Sequence, residues 1–230
     1  MPLRSGYLEA PGEPMEPDRT QATTESLAGI VTRQVSGTCD FPDPQRDRLL
    51  EQIQQRYGDG LQAVLIYGSY LRGKRDTLLD FYVLLDSYGS MPSAWQGLLG
   101  RALPPNVYQI SHGSPPDEIR AKYASLSLEG FERAVQHDFH SYFWARFAQP
   151  CGILYCRDGD IERRVIKSIA SACATFTRRV VPALPDTFDA KQLWAEGLRR
   201  TYQCEFRSEP PGHAEQLFEY WPDYYRAITA

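Results

Sequence analysis

The chain has 230 residues, 42% of them hydrophobic, with a formal net charge of −4. That length suits one large domain or two small ones, and the mildly acidic balance argues against a dedicated nucleic-acid binder. No window is long and apolar enough to span a bilayer. The five cysteines are scattered, which excludes a disulfide framework or a zinc pattern. Reduced, mostly buried thiols in a cytoplasmic protein are expected.

Residues 1–25 are rich in Pro, Gly, Glu and Thr, and their composition predicts a disordered tail. Leu27 to Val35 has weak apolar spacing and leaves helix and strand equally open. Asp43-Pro44 reads as a helix start, with Leu49, Leu50, Ile53 and Tyr57 on one face. Ala63 to Tyr67 and Leu78 to Leu85 are short apolar runs bounded by turn residues, the pattern of buried strands. Between them lie Gly68-Ser69 and a basic connection carrying Arg72, Lys74 and Arg75. The second run contains an acid, Asp80, and an isolated charge in a core strand is costly unless it is paired or binds metal.

A helix is expected around Trp95, Leu98 and Leu99, a short strand over Val107 to Ile110, and a turn over Ser111 to Pro116. Phe131, Val135, Phe139, Tyr142, Phe143 and Phe147 follow a helical spacing that Pro150 ends. Gly152 to Cys156 reads as a strand. Asp158 and Asp189 read as N-caps of two further helices, one carrying Val165, Ile166, Ile169, Cys173 and Phe176, the other Leu193, Trp194 and Leu198. A last helix is expected from Pro211 or Gly212 through Leu217, Trp221, Tyr225 and Ile228. The pattern predicts an α+β fold, mixed to about residue 127 and mostly helical afterwards.

A strand ending in Gly-Ser, then an acid on the next strand, resembles the nucleotidyltransferase fold of the DNA polymerase beta superfamily. YGSYLRGKRDTLLDFYVLLD, KYASLSLEGF, FWARFAQPCGIL and FDAKQLWAEGLRRTYQCEFR are collinear with segments of the mitochondrial phosphatidate cytidylyltransferases, a narrower family that the chain resembles from about Val64 to Tyr225. The resemblance implies a nucleotidyltransferase domain over 26–127 and a helical domain over 128–230. It implies synthesis of CDP-diacylglycerol and pyrophosphate from CTP and phosphatidic acid with Mg2+, and contact with the inner face of a membrane. Tyr67, Gly68, Ser69, Tyr123 and Glu205 would bind the nucleotide, Asp80 the metal, and Lys122, Arg146 and Arg207 would stabilise charge; Glu196 and Tyr202 are picked out on the same late helix. The superfamily's second strand acid is Tyr82 here, and the family's usual Gly after Gly-Ser is Tyr70. Taken singly, Gly-Ser is a common turn and each cation an ordinary surface charge. Transfer to another phosphate or hydroxyl acceptor, or nucleotide binding without catalysis, are the alternatives.

Overall fold

The computed structural model describes residues 18–39, 41–74, 78–93, 95–98, 105–114, 118–205 and 210–230, with side chains from residue 26 onward. Five strands form one mixed sheet: β1 (Leu61–Tyr67), β2 (Leu79–Leu85), β3 (Asn106–His112), β4 (Ile119–Ser127) and β5 (Gly152–Cys156), in the order β3-β4-β2-β1-β5. Among the described residues only the β2–β4 pairing is parallel. The described helices are α1 (Asp18–Thr38), α2 (Pro44–Tyr57), α3 (described over 95–98), α4 (Leu128–His137), α5 (Trp144–Phe147), α6 (Gly159–Val180), α7 (Ala190–Cys204), α8 (His213–Tyr220) and α9 (Pro222–Thr229).

The expected caps form. Asp43 accepts from the N–H groups of Gln45 and Arg46, Asp158 from those of Asp160 and Ile161, and Asp189 makes a capping box with Gln192. Each satisfies N–H groups that a helix start leaves without internal partners. Leu27, Val31 and Val35 are buried on α1, which resolves that stretch as helix. Helical backbone from Asp18 also shortens the expected tail, and residues 1–17 lie outside the described residues.

Strand alternation divides the core in two. Ala63, Leu65, Tyr82, Leu84, Ala124 and Leu126 face a large apolar cluster built with α1, α4, α5 and α6. Val64, Ile66, Phe81, Val83, Leu85 and Tyr123 face α2, which covers them with Leu49, Ile53 and Tyr57. The large cluster continues without a break into α7, α8 and α9. Phe176 stacks on Trp194 at 4.5 Å, and Trp194 meets Tyr225 at 4.5 Å and donates its indole N–H to the Tyr225 carbonyl.

The strand expected over Gly152 to Cys156 forms as β5 and pairs with β1, so the sheet draws on residues from both sides of 127. Three other expectations need correction. The long helix expected over Phe131 to Phe147 breaks at Asp138, whose extended backbone ends α4 and whose carbonyl accepts from the Trp144 indole and Arg179. Phe139 is therefore 89% exposed rather than inward. The last helix breaks at Trp221-Pro222, because proline lacks an N–H and disfavours helical backbone in the residue before it. Within β3, Ser111 and His112 belong to strand rather than turn. Among the described residues no helix is long and apolar enough to cross a membrane, and all five cysteines are free thiols, with Cys151 and Cys173 buried and Cys204 exposed.

Two predictions follow from this packing. A Cβ on Gly197 would lie 2.4 Å from the Phe176 ring, so Gly197→Ala is expected to cost about 1–3 kcal/mol of stability in urea unfolding. Burial pushes the Asp43 carboxyl up, but the Tyr70 hydroxyl and the N–H groups of Arg46 and Gln45 donate to it and hold it below the usual range. A depressed carboxyl stabilises the fold above its unfolded pKa of about 3.9, and that contribution is lost as pH falls through the lower folded value. Asp43→Asn should therefore flatten the acid limb of the stability–pH curve, read by thermal unfolding from pH 7 downward.

Candidate functional site

Sheet register assembles the site before any helix is added. Tyr67 of β1 is paired with Asp80 of β2, and Asp80 with Lys122 of β4. The three side chains stand in one row on one sheet face, at the end where β1 turns out of the sheet. Lys122 Nζ lies 3.1 Å from Asp80 Oδ1, with the carboxylate side chain only 17% exposed. This is the partner that a charge inside a core strand requires.

Gly68 follows Tyr67 with φ of +90°, a backbone region that favours glycine. A Cβ there would lie 2.8 Å from Asp80 Oδ2. Glycine thus allows both the turn and the close approach of backbone to carboxylate. Ser69 then opens a 3₁₀ turn, Ser69–Arg72, which ends at left-handed Gly73.

Arg146 enters from α5. Its guanidinium lies over the rings of Tyr67 at 4.9 Å and Tyr142 at 4.6 Å, a cation–π arrangement on two sides. Its Nη2 is 4.0 Å from Glu205 Oε2, and Glu205 Oε1 accepts from the Ser141 hydroxyl at 3.2 Å. Burial disfavours the Arg146 charge, yet the surrounding phenols and Glu205 favour it and hold its pKa above the usual value. Its Nε is buried with no hydrogen-bond partner among the described residues. Burial likewise pushes the Tyr67 phenol up, so that group stays protonated at neutral pH.

Tyr67, Gly68, Ser69, Asp80, Lys122, Arg146 and Glu205 line one cavity of about 370 Å³, within the usual range for small-molecule sites. Among the described lining residues three cations, Arg72, Lys122 and Arg146, face two acids, Asp80 and Glu205. The excess of positive charge suits an anion, and guanidinium groups suit phosphate oxygens. The cavity wall also includes Gln149, Tyr202, His213 and Trp221. Tyr202 was legible on the late helix; Gln149, His213 and Trp221 had no local signal. The Tyr202 hydroxyl donates to Gln149 Oε1 at 3.3 Å.

Other expected residues fall elsewhere. Tyr123 follows Lys122 on β4 and so points to the opposite face, where its hydroxyl accepts from that of Tyr57 at 3.2 Å. Its place in the site is corrected by the two-residue period of a strand. Glu196 pairs with Arg199 and Arg200 and lines a separate surface hollow. Arg207 and Arg75 lie outside the described residues. Tyr82, two residues after Asp80 on β2, is fully buried between Tyr67 at 5.2 Å and Phe147 at 4.8 Å.

Among the described residues no three His, Cys, Asp or Glu side chains gather where they could hold a metal ion. The one strand carboxylate at the cavity wall, Asp80, beside the Ser69 turn, suits a cation that takes most of its ligands from phosphate oxygens and water, as magnesium does. No protein-family model matches the chain, and no curated protein matches it.

The charge arrangement predicts binding of inorganic pyrophosphate with magnesium, measurable by calorimetry. Lys122→Gln should weaken it by roughly tenfold or more, the loss of one charge-assisted hydrogen bond. Tyr123→Phe should leave it unchanged.

Proposed function

We propose that the chain is a magnesium-dependent cytidylyltransferase that joins CTP to phosphatidic acid, yielding CDP-diacylglycerol and pyrophosphate. The observation that carries this reading is the convergence of the Gly68-Ser69 turn, Asp80, Lys122 and Arg146 on one cavity with excess positive charge. The succession of helix, strand, Gly-Ser turn and acid-bearing strand supports a nucleotidyltransferase core. The choice of cytidine and of a lipid acceptor comes from the family resemblance.

In this reading Gly68 and Ser69 seat the triphosphate. Asp80 would hold magnesium, which when bound neutralises phosphate charge and orients the chain of phosphates. A phosphate oxygen of the acceptor attacks the α-phosphorus of CTP. The bond from that phosphorus to the bridging oxygen breaks, and its electron pair leaves with pyrophosphate. Lys122 and Arg146 stabilise the charge on the departing group, with Arg207 added by the resemblance. The attacking phosphate is already anionic, so no strong general base is required. Catalysis then rests on positioning and electrostatics, as is usual for transfer at phosphorus.

One observation favours a second reading, a nucleotide-binding protein without turnover: Asp80 is ion-paired to Lys122, and the position of the usual second acid is the buried Tyr82. Pyrophosphate release from CTP, magnesium and phosphatidic acid in mixed micelles separates the two. Release that needs both nucleotide and lipid is expected, and Asp80→Ala should reduce it by at least about a hundredfold, the order of loss when one charge-stabilising group leaves a site, with the unfolding midpoint retained. An active Asp80→Ala variant would overturn the metal assignment. Tight CTP binding without release would favour the second reading.

A further inference from the structure

A second cavity of about 620 Å³ lies between α1, α9 and the Ser69–Arg72 turn. Its apolar wall is formed by Ile30, Phe41, Leu71, Trp221, Tyr224 and Ala227. The charged residues among its described lining, Arg33 and Asp223, are opposite in sign. It therefore has no charge excess to attract an anion, unlike the polar cavity.

The two cavities share a wall. Trp221 lines both, and on the 3₁₀ turn Arg72 lines the polar cavity while Leu71 lines the apolar one. Trp221 holds this place because Pro222 breaks the helix there, leaving Trp221 with φ −142° and ψ 57° between α8 and α9. A cationic pocket that adjoins an apolar groove across Trp221 and the Leu71-Arg72 turn matches a molecule with an anionic head and an apolar tail.

We propose that the groove between α1 and α9 seats an acyl chain of a phosphate-bearing lipid whose head occupies the polar cavity. The proposal rests on the nucleotidyl-transfer reading for the lipid's role as acceptor, but not for its binding. It assigns acceptor selection to Leu71, Trp221, Tyr224 and Ala227, none of which is placed in the transfer chemistry.

Two positions allow the groove to be filled without disturbing the fold. A Cβ on Gly37 meets no heavy atom within 4 Å, and Ala227 is exposed on α9. Both residues line the groove. The test is calorimetric binding of 1-oleoyl lysophosphatidic acid, below its micellar concentration, beside glycerol 3-phosphate as the same head without the chain. The lipid should bind the full chain at least about a hundredfold tighter, since each buried methylene contributes a factor of about three to four. Gly37→Phe and Ala227→Phe, with unchanged unfolding midpoints, should each weaken the lipid by about tenfold or more, equivalent to displacing two methylenes. They should leave glycerol 3-phosphate binding as it is. Equal affinity for the two ligands, or lipid affinity unchanged in both variants, overturns the seat. The transfer reading fails separately. Chain-dependent binding without pyrophosphate release supports the seat and overturns transfer. Release supported as well by glycerol 3-phosphate as by the lipid overturns the seat and leaves transfer standing.

Discussion

The row Tyr67–Asp80–Lys122 is the constraint on which the site depends. It is a matter of register. A one-residue slip of β2 against either neighbour would send Asp80 to the α2 face, into the apolar layer of Val64, Ile66 and Val83. A carboxylate there would have no partner, so the hydrophobic alternation that builds the core also holds the acid in the cavity. Lys122 offsets the cost of keeping the carboxylate at the edge of that core. Gly68 completes the arrangement by letting backbone pass close to the same carboxylate.

The helical second half acts as the other jaw of the cavity. Arg146 and Gln149 lie on or just after α5, Tyr202 on α7 and Trp221 between α8 and α9. Their positions come from one continuous apolar cluster, in which Phe147 meets Phe131 and Tyr82, and Phe176 stacks on Trp194. Close-packed aromatic interiors transmit position because they cannot deform smoothly. Tyr82 shows the same logic at a single residue: two positions after Asp80 on β2, it is part of the aromatic packing that carries Arg146.

Breaks in the helices matter as much as the helices. Asp138 ends α4 and turns the chain so that α5 can present Arg146. Pro222 does the same for Trp221. Proline was visible in the sequence as a breaker. Asp138 was hidden within an aromatic spacing that continued a helical period past it, so Phe139 read as buried.

Local chemistry by itself determined the strands at β1, β2 and β5, the caps at Asp43, Asp158 and Asp189, and the Gly68-Ser69 turn with its acid. These are features that a few adjacent residues decide. Strand β4 was less legible, because Ile119 to Ser127 mixes Arg, Lys and Ser with apolar residues, and its pairing with β2 on one side and β3 on the other makes that alternation a strand. The adjacent pair Lys122-Tyr123 illustrates the limit: the sequence marked both, and the two-residue period of the strand sent one into the cavity and the other to α2. Tertiary structure alone decided that Gln149, His213 and Trp221 would line one cavity with the Gly-Ser turn. It also decided that a fifth strand from beyond residue 127 would join the sheet. Those contacts join residues far apart in the chain, and long-range packing leaves no mark in the local pattern of either partner.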